Sequence, residues 1–204
     1  MTRVGNHAIV IGASMGGLLA ARALADVFDR VTLVERDAFP SSDLPRKGVP
    51  QGRHTHGLLA RGRVVLEQFF PGLTDELVAS GALRGDIAND VTWIGHNVTL
   101  ARAPSDLTGL LASRPVIEGH VRRRLLALPN VAAIAQCAVQ GLLYDAQQDR
   151  VTGVRVRTSG NGEKSIAADL VIDASGRGSA SPAWLEEIGY QRPAEDKIDV
   201  GIAI

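Results

Sequence analysis

His7-Ala8-Ile9-Val10-Ile11-Gly12-Ala13-Ser14-Met15-Gly16-Gly17 decides the fold. A short apolar run, His7–Ile11, reads as a buried strand and ends on a glycine-rich turn. Leu18-Leu-Ala-Ala-Arg-Ala-Leu-Ala25 follows, built of strong helix formers. Val31-Thr-Leu-Val-Glu35 then supplies β-branched residues for a second strand. Strand, glycine turn, helix and strand at this spacing spell a Rossmann-type βαβ unit for the ADP half of a dinucleotide. Gly12 fills the first position of G-x-G-x-x-G and Gly17 the third, while Ser14 stands at the second. The first glycine permits the tight turn, the second lets backbone approach the pyrophosphate, and the third lets helix pack on strand. Backbone N–H groups at the helix start, with the helix dipole, are expected to bind the phosphates, so Ala13, Ser14, Met15 and Gly16 join the two glycines as cofactor contacts. Glu35 ends the second strand at about the 20-residue spacing at which a carboxylate accepts the ribose hydroxyls, and its neighbour Arg36 is grouped with it as a cofactor contact.

A rival reading shares the same residues. Gly12-Ala-Ser-Met-Gly16 also matches G-x-S-x-G, the nucleophile elbow of α/β-hydrolases, which would make Ser14 a nucleophile. An elbow normally follows several earlier strands, whereas this turn follows the first, and Glu35 has no task in that scheme.

Outward from this unit, Arg36–Arg53 is a polar loop carrying Pro40, Pro45 and Pro50. A helix is expected next, with Leu58, Leu59, Val65, Leu66 and Phe69 on its apolar side and Pro71-Gly72 as its stop. Val91–Ile94 and Asn97–Leu100 read as a hairpin turning at Gly95-His96. Ile117, Val121, Leu125 and Leu128 define one stripe of a helix over 114–128. Val139–Tyr144, Val151–Thr158 and Lys164–Ala168 read as an antiparallel meander within a β-rich stretch from Val131. Leu170–Ala174 reads as another buried strand, followed by a short helix around Pro182–Ile188 and a strand begun at Asp199–Ile204.

Composition narrows the function classes. Lys plus Arg and Asp plus Glu both number 22, so no excess charge recommends a nucleic acid or an anionic membrane as partner. Cys137 is the one cysteine, which rules out an internal disulfide and argues against a thiolate zinc site. No apolar run approaches the ~20 residues of a membrane helix, and the N-terminus has no secretory h-region. The expectation is a cytoplasmic protein with a small-molecule substrate. Aromatic residues make up 4% of the chain, so Ala, Val, Leu and Ile must build the core, as suits a parallel sheet under helices. His54 and His56 have no acidic or cysteine ligand beside them, so structure or cofactor proximity is favoured over metal. Arg122-Arg-Arg124 is expected on a solvated helix face, Cys137 as a small buried hydrophobe, and Trp93 and Trp184 as packing residues.

Gly12–Gly17 with Glu35, then Arg46-Lys-Gly-Val-Pro-Gln51, then Asp169-Leu-Val-Ile-Asp-Ala-Ser-Gly-Arg-Gly-Ser179 resemble the single-component FAD-dependent monooxygenases of the para-hydroxybenzoate hydroxylase type. Arg46–His56 is most similar to bacterial polyketide-tailoring members, notably polyether epoxidases. The resemblance implies FAD as cofactor, NAD(P)H as reductant, and transfer of one oxygen atom from O2 to an aromatic or polyketide-like substrate. It implies that Arg46 contacts the ADP portion, that Arg114 makes a polar FAD contact, and that the backbone at Val139 meets the adenine. It places Asp173, Gly176 and Ser179 in a second fingerprint tied to FAD and NAD(P)H. The usual Ala-Asp-Gly core of that fingerprint is Ala174-Ser175-Gly176 here, so its acidic residue is displaced.

The implied architecture is α/β. A Rossmann-like FAD-binding domain, parallel sheet plus meander, occupies 1–88 and 109–190. A substrate-domain hairpin occupies 89–108, and a substrate-domain sheet starts at 191–204. Related enzymes run to about twice this length, the scale of a two-domain chain, so the sequence reads as the N-terminal half, completed by a C-terminal half or a second subunit. No catalytic residue is assigned, because in this family the flavin carries the oxygen chemistry. Two further readings stay open, an FAD- or ADP-binding half without activity of its own and a flavin-dependent reductase or halogenase. The lysine and the Trp-rich motif of such halogenases are not evident.

Overall fold

The computed structural model describes residues 2–40, 44–45, 52, 56–158, 162–196, 198 and 200. Its centre is the expected unit: strand β1 (Gly5–Ile11), helix α1 (Met15–Ala25) and strand β2 (Phe28–Val34). Strand β3 (Gly57–Leu58), helices α2 (Ala60–Phe69) and α3 (Leu73–Ala79), and strand β4 (Leu83–Asp86) follow. Next come a hairpin of β5 (Ile94–Gly95) and β6 (Val98–Thr99), strand β7 (Thr108–Leu111) and helix α4 (Arg114–Leu126). Strand β8 (Val131–Ile134) leads into the meander β9 (Cys137–Asp145), β10 (Arg150–Thr158) and β11 (Gly162–Ala167). Strand β12 (Leu170–Asp173), a 3-10 turn at Gly176–Gly178 and helix α5 (Ser181–Glu187) complete the order.

Four strands form a parallel sheet in the order β12-β1-β2-β8. Alternation along β1 sends side chains to two cores. Ala8 and Val10 pack with Leu18 and Ala21 of α1 and Ile117, Val121 and Leu125 of α4. Ile9 and Ile11 pack instead with Val154 and Val156 of the meander and with Trp184. The central strands are therefore covered on both faces, which explains their unbroken apolar sequence. Each fully buried Val, Leu or Ile contributes about 1.5–3 kcal/mol, so these two layers, rather than the loop hydrogen bonds, hold the sheet.

Several expectations are corrected. Val131–Ile134, at the start of the β-rich stretch, is a strand of the parallel sheet. It pairs in parallel with β2, Val31 opposite Val131, after the α4 crossover that parallel pairing requires. Leu170–Asp173 is not a fully buried strand; among the described residues β1 is its one sheet partner, and Leu170 is exposed. Leu58 belongs to β3, and Leu59, at the N-cap of α2, is exposed rather than apolar-face core. The small sheet β3-β7-β4 was not anticipated. The hairpin turns at His96-Asn97, one residue later than expected, with φ of 48° and 64°, the pair of positive values that a two-residue type I′ turn demands.

Of the arginine run, Arg123 is exposed as expected, whereas Arg122 and Arg124 depart from a solvated face. Arg122 is buried, with its guanidinium carbon 5.6 Å from the Phe39 ring centroid. Arg124 is paired with Glu76 and donates to the carbonyl of Pro71. The strand expected at Asp199–Ile204 falls largely outside the described residues. No described helix is long and apolar enough to cross a membrane.

Candidate functional site

The carboxyl edge of the parallel sheet is knitted together by backbone. The Gly12 N–H donates to the carbonyl of Val34, that of Glu35 to Ile134, that of Cys137 to Glu35, and that of Ala174 to Ile11. These bonds bring the fingerprint loop, the end of β2, the start of β9 and the exit of β12 around one pocket of about 240 Å³. Gly12, Ser14, Glu35, Val139, Ser175 and Trp184 stand among its walls. A pocket at the carboxyl ends of parallel strands is where α/β sheets bind ligands.

Two glycines are fixed by geometry. Gly12 has φ +92°, and a Cβ there would lie 2.8 Å from the Ala174 carbonyl oxygen. A Cβ on Gly17 would lie 1.8 Å from the Gly12 carbonyl oxygen. Gly16 differs, since a Cβ there would meet nothing within 4 Å; this glycine opens a face instead of filling a contact. Ala13 is fully buried, and Met15 begins α1 and packs against the core beneath it.

Ser14 is the N-cap of α1, yet its side chain makes no cap hydrogen bond. Its hydroxyl donates instead to Glu118 Oε2 of α4 at 3.0 Å. Glu118 is buried, with Arg114 Nε 3.6 Å and Arg122 Nη1 3.8 Å from its carboxylate.

Glu35 is buried and shapes the turn from the other side. Its Oε2 accepts the Ala13 N–H at 2.9 Å, and its Oε1 accepts the Asp37 N–H at 3.1 Å. Glu35 also stands among the walls of the pocket. Arg36 is exposed at the rim beside Asp37, their charged groups 3.8 Å apart.

Asp173, the last residue of β12, sits opposite Ile11 in the sheet. Its carboxylate accepts the Ser175 N–H and the hydroxyls of Ser175, Ser179 and Ser181. Burial alone would raise its pKa, but the hydroxyls of Ser175, Ser179 and Ser181 hold it below the ordinary carboxylate value. Asp173 thus organises the second loop from within, while Ala174, Ser175 and Gly178 present that loop to the pocket. Gly176 has φ +75° and, like Gly16, would place a Cβ in open space.

The structure brings together Gly12, Ala13, Ser14, Glu35, Arg36 and Val139 around one pocket. Met15, Gly16, Gly17, Arg114, Asp173 and Gly176 are not among its walls; among the described residues, Arg114 reaches the loop through Glu118. Arg46 and His54 lie outside the described residues. Among the described residues, no cluster of three or more His, Cys, Asp or Glu could hold a metal ion.

Sequence reasoning missed Glu118, although Arg114, Glu118 and Arg122 follow the i, i+4 spacing of helical ion pairs. It assigned Cys137 and Trp184 to packing. Both are buried as expected, and both also face the pocket. Burial pushes the Cys137 thiol pKa up, which makes it a poor nucleophile.

An uncapped helix N-terminus, an open glycine face and a carboxylate across the loop suit a ligand with phosphates and a ribose. The geometry defines a dinucleotide-binding α/β protein. The chain belongs to the FAD dependent oxidoreductase family, whose model matches residues 8–195. Protein Rv3254 of Mycobacterium tuberculosis (strain ATCC 25618 / H37Rv) is 42% identical over 213 residues, covering 98% of this chain and 45% of that protein. Among solved structures, p-nitrophenol 4-monooxygenase PnpA from Pseudomonas putida DLL-E4 superposes with a TM-score of 0.65 at 20% identity, covering 90% of this chain and 44% of the other. The myxobacterial chondrochloren halogenase CndH gives 0.65 at 24% identity, covering 86% and 38%. The chain therefore spans less than half of the length of each of these three proteins.

Proposed function

We propose that this chain forms the ADP-binding half of an FAD-dependent monooxygenase, of the para-hydroxybenzoate hydroxylase type and nearest to polyether epoxidases. It would use NAD(P)H and O2 to hydroxylate or epoxidise an aromatic or polyketide-like substrate. The observation that carries the reading is the pocket joining the fingerprint loop, Glu35 and the start of β9. Family membership supports FAD, and the fold shared with p-nitrophenol 4-monooxygenase supports the oxygen chemistry. In this reading the N–H groups at the start of α1 bind the pyrophosphate. Glu35 accepts the ribose hydroxyls while its bond to Ala13 keeps the loop in register. The Val139 segment meets the adenine edge, and Arg36 screens phosphate charge at the rim. Arg46 contacts the ADP portion, and the Asp173–Ser179 loop closes the side nearest the NAD(P)H approach. When bound, FAD supplies the redox centre that accepts a hydride and activates O2.

The test is purification of the protein with FAD, followed by NADPH and NADH oxidation with and without O2. Flavin absorbance near ~450 nm, with oxygen incorporated into product, supports the reading. Absence of flavin uptake overturns it. Halide incorporation would assign a halogenase, like the chondrochloren enzyme. ADP binding without flavin reduction would leave a nucleotide-binding half with no activity of its own.

A further inference from the structure

We infer that Glu118 is a positioning residue for the cofactor phosphates, acting through Ser14; this rests on the cofactor reading above. A serine at an N-cap normally turns its oxygen onto the N–H groups of its own first turn and satisfies them. In this loop that would cover the donors a pyrophosphate needs, and it is a hazard that the glycine of the usual fingerprint does not carry. Ser14 has the N-cap backbone, φ −88° and ψ −177°, but makes no cap bond. Its hydroxyl is held by Glu118 Oε2 at 3.0 Å.

Glu118 is suited to this task. It is buried in α4, flanked at i−4 and i+4 by Arg114 and Arg122, whose guanidinium groups stand beside its carboxylate and hold it in place. Arg122 is in turn fixed against the Phe39 ring. Helix α4 thereby turns a serine that would compete with the ligand into one that leaves the amides of α1 to it. The pairing links the start of α1 to α4, and Leu18 and Val121 of the same two helices share one core.

A double-mutant cycle tests this. ADP and FAD are titrated into the purified protein by calorimetry, with thermal melting run on every variant. In the Ser14 protein, Glu118→Ala frees the hydroxyl to cap the helix and weakens ADP and FAD about fivefold, the worth of one N-cap bond. In the Ser14→Gly background, Glu118→Ala costs nothing or strengthens binding, because no hydroxyl competes and one negative charge has left the loop. Glu118→Met, which fills the volume, repeats the cycle if the alanine variant does not fold. Glu118→Gln keeps an acceptor for Ser14 and stays within twofold of the unsubstituted protein on the same scale. An equal cost of Glu118→Ala in both backgrounds, or none in the Ser14 protein, overturns the inference while leaving FAD binding intact. Failure of the unsubstituted protein to bind ADP or FAD overturns the cofactor reading, and the inference with it.

Discussion

A Cβ placed on Gly17 would sit 1.8 Å from the carbonyl oxygen of Gly12, inside any possible contact distance, whereas one placed on Gly16 would touch nothing within 4 Å. Two adjacent glycines thus do different work, and stability and binding separate them. Gly17→Ala must push α1 off β1 and is expected to cost upward of about 3 kcal/mol, a fall in Tm of about 5–10 °C for a chain of this size. Gly16→Ala has no clash and gains helix propensity of about 1 kcal/mol, so its Tm should hold or rise. In the proposed reading, its methyl group instead occupies the open side of the turn where the pyrophosphate would lie, and ADP affinity should fall roughly tenfold. Thermal melts and ADP titration of both variants check this; equal behaviour of the two would sink the distinction.

Glu35 carries a second prediction. Its carboxylate both accepts the Ala13 N–H and faces the pocket. Glu35→Ala should weaken ADP about tenfold or more, since hydrogen bonds to a charged group are worth about 1.5–3 kcal/mol. The sharper measurement compares ADP with its 2′,3′-dideoxy analogue. The unsubstituted protein should prefer ADP, and Glu35→Ala should lose that preference. A preference that survives the substitution would assign ribose recognition elsewhere.

What was legible in the sequence was local. His7–Ile11, Gly12, Gly17 and Glu35 announce the βαβ unit because strand, turn and carboxylate lie within one short segment, and the structure keeps them there. Illegible features depended on partners far along the chain. Arg122 reads as a solvated charge until Phe39 is placed beneath it. Val131–Ile134 reads only as the start of a β-rich stretch until α4 returns it beside β2. Strands β3, β4 and β7 span two to four residues, too short for an alternation pattern to register. Glu118 was written in the i, i+4 spacing of α4, but only the fold shows that Ser14 is its other partner.

Trp184 offers a spectroscopic prediction. The chain has two tryptophans. Trp184 is buried and lines the pocket, while Trp93 is half exposed on the hairpin with its indole N–H donated to the Ile87 carbonyl. ADP binding should therefore change the emission of Trp184 and leave that of Trp93 alone. Trp93→Phe should keep the ADP-dependent signal, and Trp184→Phe should abolish it. The opposite pattern would place the ligand away from the described pocket.

The last prediction concerns pH and His7. This imidazole is buried between β1 and its neighbours, with Nδ1–H donated to the Ala167 carbonyl at 2.7 Å and Nε2 2.9 Å from the Thr32 hydroxyl. Arg30 Nη2 also stands 3.0 Å from Nδ1, and the Asp169 carboxylate accepts the His7 backbone N–H. Burial lowers the His7 pKa below 6.5; the Ala167 carbonyl opposes that, and the charge of Arg30 adds to it. The folded state therefore releases this proton at a pH where the unfolded chain still holds it. Stability from His7 is fully present above the unfolded value of 6.5 and is lost as pH falls from there through the folded pKa. Denaturant midpoints should drop between pH 7.5 and pH 5.5, and His7→Gln, which has no proton to take up, should show a shallower drop. The remaining histidines contribute equally to both proteins, so an identical pH slope in the two would show that His7 does not titrate in this range.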